Sequence, residues 1–177
     1  MSSVVIDTNV LMVANEQVPP EQADEDCVTA CLNRLIAIQN GSSKEKVVLD
    51  DEDRLLGEYQ QTLKRGHQPS TGHAFLHWLY QAGWNPDLCN RVQINCTDEA
   101  KQAFEEFPHH PGLTEFDVSD RKFVATANAH PQKAVILQAV DAKWMGWEDA
   151  LTECGINIAW LHKETADRLY QKHLTSS

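Results

Sequence analysis

Short apolar runs alternate along the chain with longer segments of helical period. Residues 4–6, 46–49, 134–140 and 156–161 are brief and largely apolar, as strands buried on both faces are. Residues 91–94 alternate instead and predict a weaker strand, third in chain order. Residues 24–40 place Cys27, Val28, Cys31, Leu32, Leu35 and Ile36 on one broad face, predicting a helix that Gly41-Ser42-Ser43 ends. Residues 54–64 turn Leu55, Leu56, Tyr59 and Leu63 inward, and residues 72–82 carry Phe75, Leu76, Trp78 and Leu79 in the same manner, with a loop over 66–70 between them. Thr97-Asp98-Glu99 has the capping residue and acidic first turn of a helix start, and the Pro-bounded stretch 108–112 breaks it. Ser119 reads as the N-cap of a helix over 120–129, residues 144–154 predict a helix stopped by Gly155, and residues 162–173 predict a closing helix.

Continuous apolar strands separated by helices predict an α/β fold: a three-layer α/β/α sandwich around a central parallel sheet. One domain over residues 1–177 suits this length. A sheet of this kind binds ligands at the carboxyl ends of its strands, near the point where strand order reverses. The residues just after each strand are therefore the place to look for chemistry.

Composition narrows the picture. The chain is 42% hydrophobic and 23% charged, ordinary for a protein with a core, and its net charge of −11 argues against a basic coat for non-specific nucleic-acid binding. It does not exclude a metal nuclease, whose ions supply the missing positive charge. No apolar run reaches the roughly 18 residues of a membrane helix. Met1-Ser2-Ser3 leads straight into a strand without a basic stretch, so no signal peptide and a cytoplasmic location are expected. Five cysteines, an odd number, argue against a disulfide framework, and Cys27 and Cys31 read as core packing.

Carboxylates cluster where the fold predicts chemistry. Asp7 follows the first strand, Asp50 and Asp51 the second and Asp141 the fourth, while Asp120 opens the helix leading into the fourth. Any one of these alone reads as a cap or turn residue. Together they bring like charges toward one sheet edge, which is costly unless they are protonated or hold cations. Oxygen-only donors favour Mg2+ or Mn2+, ions that activate water in phosphodiester hydrolysis.

The ordered set resembles a known family. The strand followed by Asp7-Thr8-Asn9-Val10-Leu11 looks like the opening of a PIN domain, Asp120-Arg121-Lys122-Phe123-Val124-Ala125-Thr126-Ala127 is similar to its later Asp-led helix, and residues 135–141 resemble the strand that ends in its fourth acid. The resemblance implies a Mg2+- or Mn2+-dependent nuclease, with Asp7, Glu58, Asp120 and Asp141 as metal-holding catalytic acids and Asn9 in support. Asp51 rivals Glu58 for the second place. RNA is the favoured substrate and DNA the alternative. A toxin or defence role, an antitoxin or regulatory protein as partner, and a homodimer are implied by resemblance alone. Two departures stand out. Lys143 sits where many members carry a further acid, and the segment 66–115 is longer than in the smallest members, an elaboration suited to a substrate wall or partner surface.

The remaining features are weaker. Lys64 and Arg65 form a small basic loop, read first as a helix C-terminal preference and second as a backbone contact for nucleic acid. His73 and His77 are spaced for a metal but lack the zinc-protease glutamate. Trp144 and Trp147 read as core first and as a base-stacking platform second. A catalytically weak PIN-like binding module and a haloacid-dehalogenase-like phosphatase are the competing functions. The phosphatase would need an acid at position 9, where the chain has Asn9.

Overall fold

A computed structural model describes residues 1–63 and 70–176. Its main sheet has the order β3-β2-β1-β6-β7, formed by Cys89–Val92, Glu45–Asp50, Ser2–Ile6, Val135–Gln138 and Ile158–Trp160 respectively, and all four pairings are parallel. The helices are α1 (Thr8–Ala14), α2 (Glu25–Gln39), α3 (Arg54–Leu63), α4 (Thr71–Ala82), α5 (Arg121–Ala129), α6 (Glu148–Glu153) and α7 (Lys163–Thr175). They flank the sheet in the expected three-layer α/β/α arrangement. Helices α1 to α4 pack on one another, and α5 lies against β1, β2 and β6.

The core follows from the apolar runs. Val4, Val5, Ile6, Val47, Val48, Leu49, Ile136 and Leu137 are all sealed from solvent, as a sheet covered on both faces requires. Tyr59 and Phe123 bring α3 and α5 together with ring centroids 6.4 Å apart, and the Tyr59 hydroxyl donates to the Ile6 carbonyl at the end of β1. Gly41 and Gly155 both have φ of +78° and follow the ends of α2 and α6, where the sequence predicted those helices to stop. Gly72 permits the close approach of α4 to α1, since a Cβ there would lie 2.6 Å from the Leu11 carbonyl oxygen.

Several elements differ from the pattern-based reading. The helix expected from Thr97 is a hairpin, β4 (Cys96–Asp98) paired antiparallel with β5 (Ala103–Phe104). Residues 97–103 favour helix locally but carry no apolar stripe to bury, and a short helix without packing is marginal. The hairpin instead buries Phe104 with Ile94 against Ala125 of α5. Ser119 does not cap the following helix. Asp117 caps a 3-10 turn over Val118–Asp120 by accepting from the Ser119 N–H, and α5 begins only at Arg121. Residues 142–147 form a further 3-10 turn before α6. Helix α1, which no periodicity signalled, follows β1 at once. Among the described residues of the segment 66–115, β3 joins the main sheet, α4 packs on α1 and α2, and the hairpin forms a separate small sheet.

Candidate active site

The sheet order reverses between β1 and β6, and the residues just past those two strands meet there. Asp7 caps α1, and its Oδ1 accepts from the Asn9 backbone N–H at 2.9 Å and from the Asn9 side-chain amide. Its Oδ2 accepts from Gln138 Nε2 at 2.9 Å. Asn9 also donates to Gln138 Oε1 at 2.6 Å, and its own Oδ1 accepts the Ala139 and Val140 backbone N–H groups at 2.9 and 3.1 Å. This amide network locks the start of α1 to the end of β6. It fixes the Asp7 carboxylate and leaves about one of its four acceptor positions open.

Glu58 arrives from α3. Its Oε1 accepts from the Thr8 hydroxyl at 2.8 Å, and its Oε2 pairs with Lys122 of α5. The Lys122 ammonium is almost sealed from solvent and also donates to the Ser119 carbonyl. Asp120 precedes α5 without capping it, and its Oδ2 accepts from the Trp144 indole N–H at 3.3 Å. Asp141 follows β6 and lies 3.8 Å from Lys143, which also holds Asp117 at 3.0 Å.

Burial and mutual repulsion govern the charges. Burial pushes the Asp7 carboxyl well above the ordinary carboxylate range, and Asp120, Asp141 and Glu58 push it further, against the Asn9 N–H. Asp120 is pushed up to about 6 by burial and then by Asp141, Asp117 and Glu58. Asp141 is raised by burial, with Lys143 opposing. Asp117 is lowered by its hydrogen bond to Lys143. Burial works against the Lys143 ammonium, but Asp117, Asp141 and Asp120 together leave its pKa raised.

Asp7, Glu58, Asp120 and Asp141 therefore share one electrostatic field. Asp51 does not: it is exposed in the turn after β2, its backbone N–H bonded to Val92. Its neighbour Asp50 is fully buried and caps α3, accepting from the Arg54 and Leu55 N–H groups at 2.8 and 2.9 Å. Lys64 and Arg65 lie outside the described residues. Trp144 is sealed in the core with its ring edge-on to Phe116, which removes it as a base platform. His73 is structural, with one ring nitrogen 2.7 Å from the Asn15 amide and the other donating to the Leu63 carbonyl at 2.9 Å.

Sequence reasoning missed Gln138, Lys122, Asp117 and Thr8 as site residues. Two of these had a signal. Gln138 is a polar residue within an apolar strand, and such a residue must find a partner when buried. Lys122 lies in the first turn of a helix, where the macrodipole disfavours a cation unless an anion compensates.

The acids fit a hard divalent ion by donor type and by the repulsion such an ion would relieve. Among the described residues, no three acidic, histidine or cysteine side chains close on a common ligand point. Glu58 is turned toward Lys122, and Asp141 lies beside Lys143. No protein-family model, curated protein or solved structure matches this chain.

Proposed function

We propose that this chain is a Mg2+- or Mn2+-dependent nuclease of the PIN-domain type, acting on RNA in preference to DNA. One observation carries the reading. Four carboxylates from four separate elements gather at the switch point of a parallel sheet, and the protein tolerates the raised pKa values of Asp7, Asp120 and Asp141 there. Asp7, Asp120 and Asp141 would hold the ion once their side chains turn onto a common point, and Glu58 would join by turning from Lys122. A bound divalent ion would lower the pKa of a water and offset charge on the leaving oxygen of a phosphodiester.

The chain's own residues supply orientation and charge balance. Asn9 and Gln138 hold the Asp7 carboxylate at a fixed place, and Lys122 pairs with Glu58 within a crowded site. Lys143 stands half exposed beside Asp141, in reach of solvent and of an anionic substrate. The Asn9 amide is engaged with Asp7, Gln138 and two backbone groups, so it has no general-acid role, which disfavours the phosphatase reading. The two lysines inside the acidic field favour, as second reading, a module that binds nucleic acid and cleaves it slowly. Incubation with labelled RNA and DNA pools, in Mn2+ and in chelator, separates the two. Metal-dependent cleavage of RNA supports the nuclease, and metal-indifferent binding without cleavage supports the module.

A further inference from the structure

Beside the first turn of α5 lies a groove of about 390 Å3, within the size range of ligand sites. Phe104, Phe107 and Pro108 give it an apolar side, and Thr97, Thr114 and His109 add polar groups. Among the described residues that line it, Arg121 is the only lysine or arginine. This arginine follows the site acid Asp120 directly in the chain. Its guanidinium stacks over the Phe107 ring, 5.3 Å from the centroid. Its Nε is buried without a hydrogen-bond partner, as are those of Arg34 and Arg54, but among the described residues no carboxylate forms an ion pair with it. By contrast Arg34, Arg54, Arg91 and Arg168 each hold a carboxylate, as expected in a chain of net charge −11. An arginine left unpaired among so many acids, with its plane already fixed by an aromatic ring, is prepared for an external anion.

We propose that this groove seats one nucleotide of a single-stranded nucleic acid, its phosphodiester on Arg121 and its base against the Phe107 side. The inference rests on the nuclease reading for the position of the groove, since a second groove of about 410 Å3 adjoins it through Phe104 and is lined by Glu58 and Lys122. A strand lying in both would pass the acidic site. Glu105, the one acidic residue among the described residues lining the Arg121 groove, disfavours a doubly charged terminal phosphate and favours a singly charged diester.

The test uses a fluorescein-labelled single-stranded RNA 12-mer in chelator, followed by fluorescence anisotropy over a range of salt. Arg121→Gln weakens binding about tenfold and reduces the salt slope by about 0.7, the share of one phosphate contact on a single strand. Arg121→Lys keeps the salt slope. Lys101→Gln, the same charge change at an exposed lysine of the hairpin, leaves affinity near the wild-type value. In parallel, the diester dinucleotide ApA is titrated into the wild type while the Arg121 Nε–H resonance is followed by NMR, which stays informative if Arg121→Gln fails to fold. A saturable shift supports the subsite, even should the protein cleave neither RNA nor DNA, and in that case only the nuclease reading falls. Undiminished RNA affinity and slope in Arg121→Gln, or an Nε–H resonance that ApA leaves unmoved, overturns the subsite while leaving metal-dependent cleavage intact.

Discussion

At the scale of single residues, the site is a contest between burial, which favours neutral acids, and local cations and amides, which favour charged ones. Asp120 shows the balance in its pH dependence. Its folded-state pKa is about 6 against an ordinary value of 3.8, so the folded chain holds this proton more tightly than the unfolded chain does. Its stabilising contribution is therefore full below the ordinary value and is lost as the pH rises through about 6. Asp7 and Asp141 slope the same way, whereas His130, lowered by burial, slopes the other way. Comparison with Asp120→Asn isolates the term. In urea titrations without metal, wild-type stability relative to Asp120→Asn falls between pH 4 and 7, by up to about 3 kcal/mol at 1.36 kcal/mol per pKa unit. A constant difference across that range would mean that Asp120 is not held in a repulsive field. Lys122 and Glu58 form the second residue-scale pair. Lys122→Met leaves Glu58 uncompensated and costs about 2 kcal/mol, while Lys122→Met with Glu58→Gln recovers most of it. Additive losses in that double-mutant cycle, measured by thermal unfolding, would show that the two side chains do not depend on each other.

At the scale of elements, the site's precision comes from how helices are started. Asp50 and Asp51 are neighbours with opposite tasks. Asp50 is buried and caps α3, the helix that carries Glu58, whereas Asp51 faces solvent. Asp50→Ala leaves two N–H groups unpaired, costs about 2 kcal/mol and moves Glu58. Asp51→Asn changes stability by less than about 0.5 kcal/mol. Equal effects of the two in urea unfolding would mean that α3 is positioned by its packing alone. The strands and long helices were legible because apolar runs and 3.6-residue faces report burial directly. Helix α1 was not, because it is only seven residues long and its apolar residues 10–14 are contiguous, so no helical period stands out. The hairpin at Cys96–Phe104 was not, because its residues favour helix locally and only the packing of Phe104 and Ile94 on α5 decides otherwise. Asp7 and Asp141 were legible from their place after strands and Asp120 from its place before a helix, whereas Glu58 was suggested only by the resemblance, with Asp51 as its rival. Their partners Lys122 and Asp117 depend on which loops meet in space, which spacing along the chain does not state.

At the scale of the whole molecule, a protein of net charge −11 must attract a polyanion through a few placed cations and through bound metal rather than through its surface as a whole. The sheet brings Asp7 to its centre, the one position from which an ion could reach acids on both sides. The most direct test is therefore a comparison of the wild type with Asp7→Asn. RNA cleavage is measured with Mn2+ and with chelator, and melting temperature with and without the ion. The account predicts Mn2+-dependent cleavage by the wild type and none by Asp7→Asn. It predicts a variant as stable as the wild type, or more so, in the absence of metal, because a buried repulsive charge has been removed. Mn2+ should stabilise the wild type more than the variant. A wild type that cleaves neither RNA nor DNA in Mn2+, with both proteins responding equally to the ion, would contradict it.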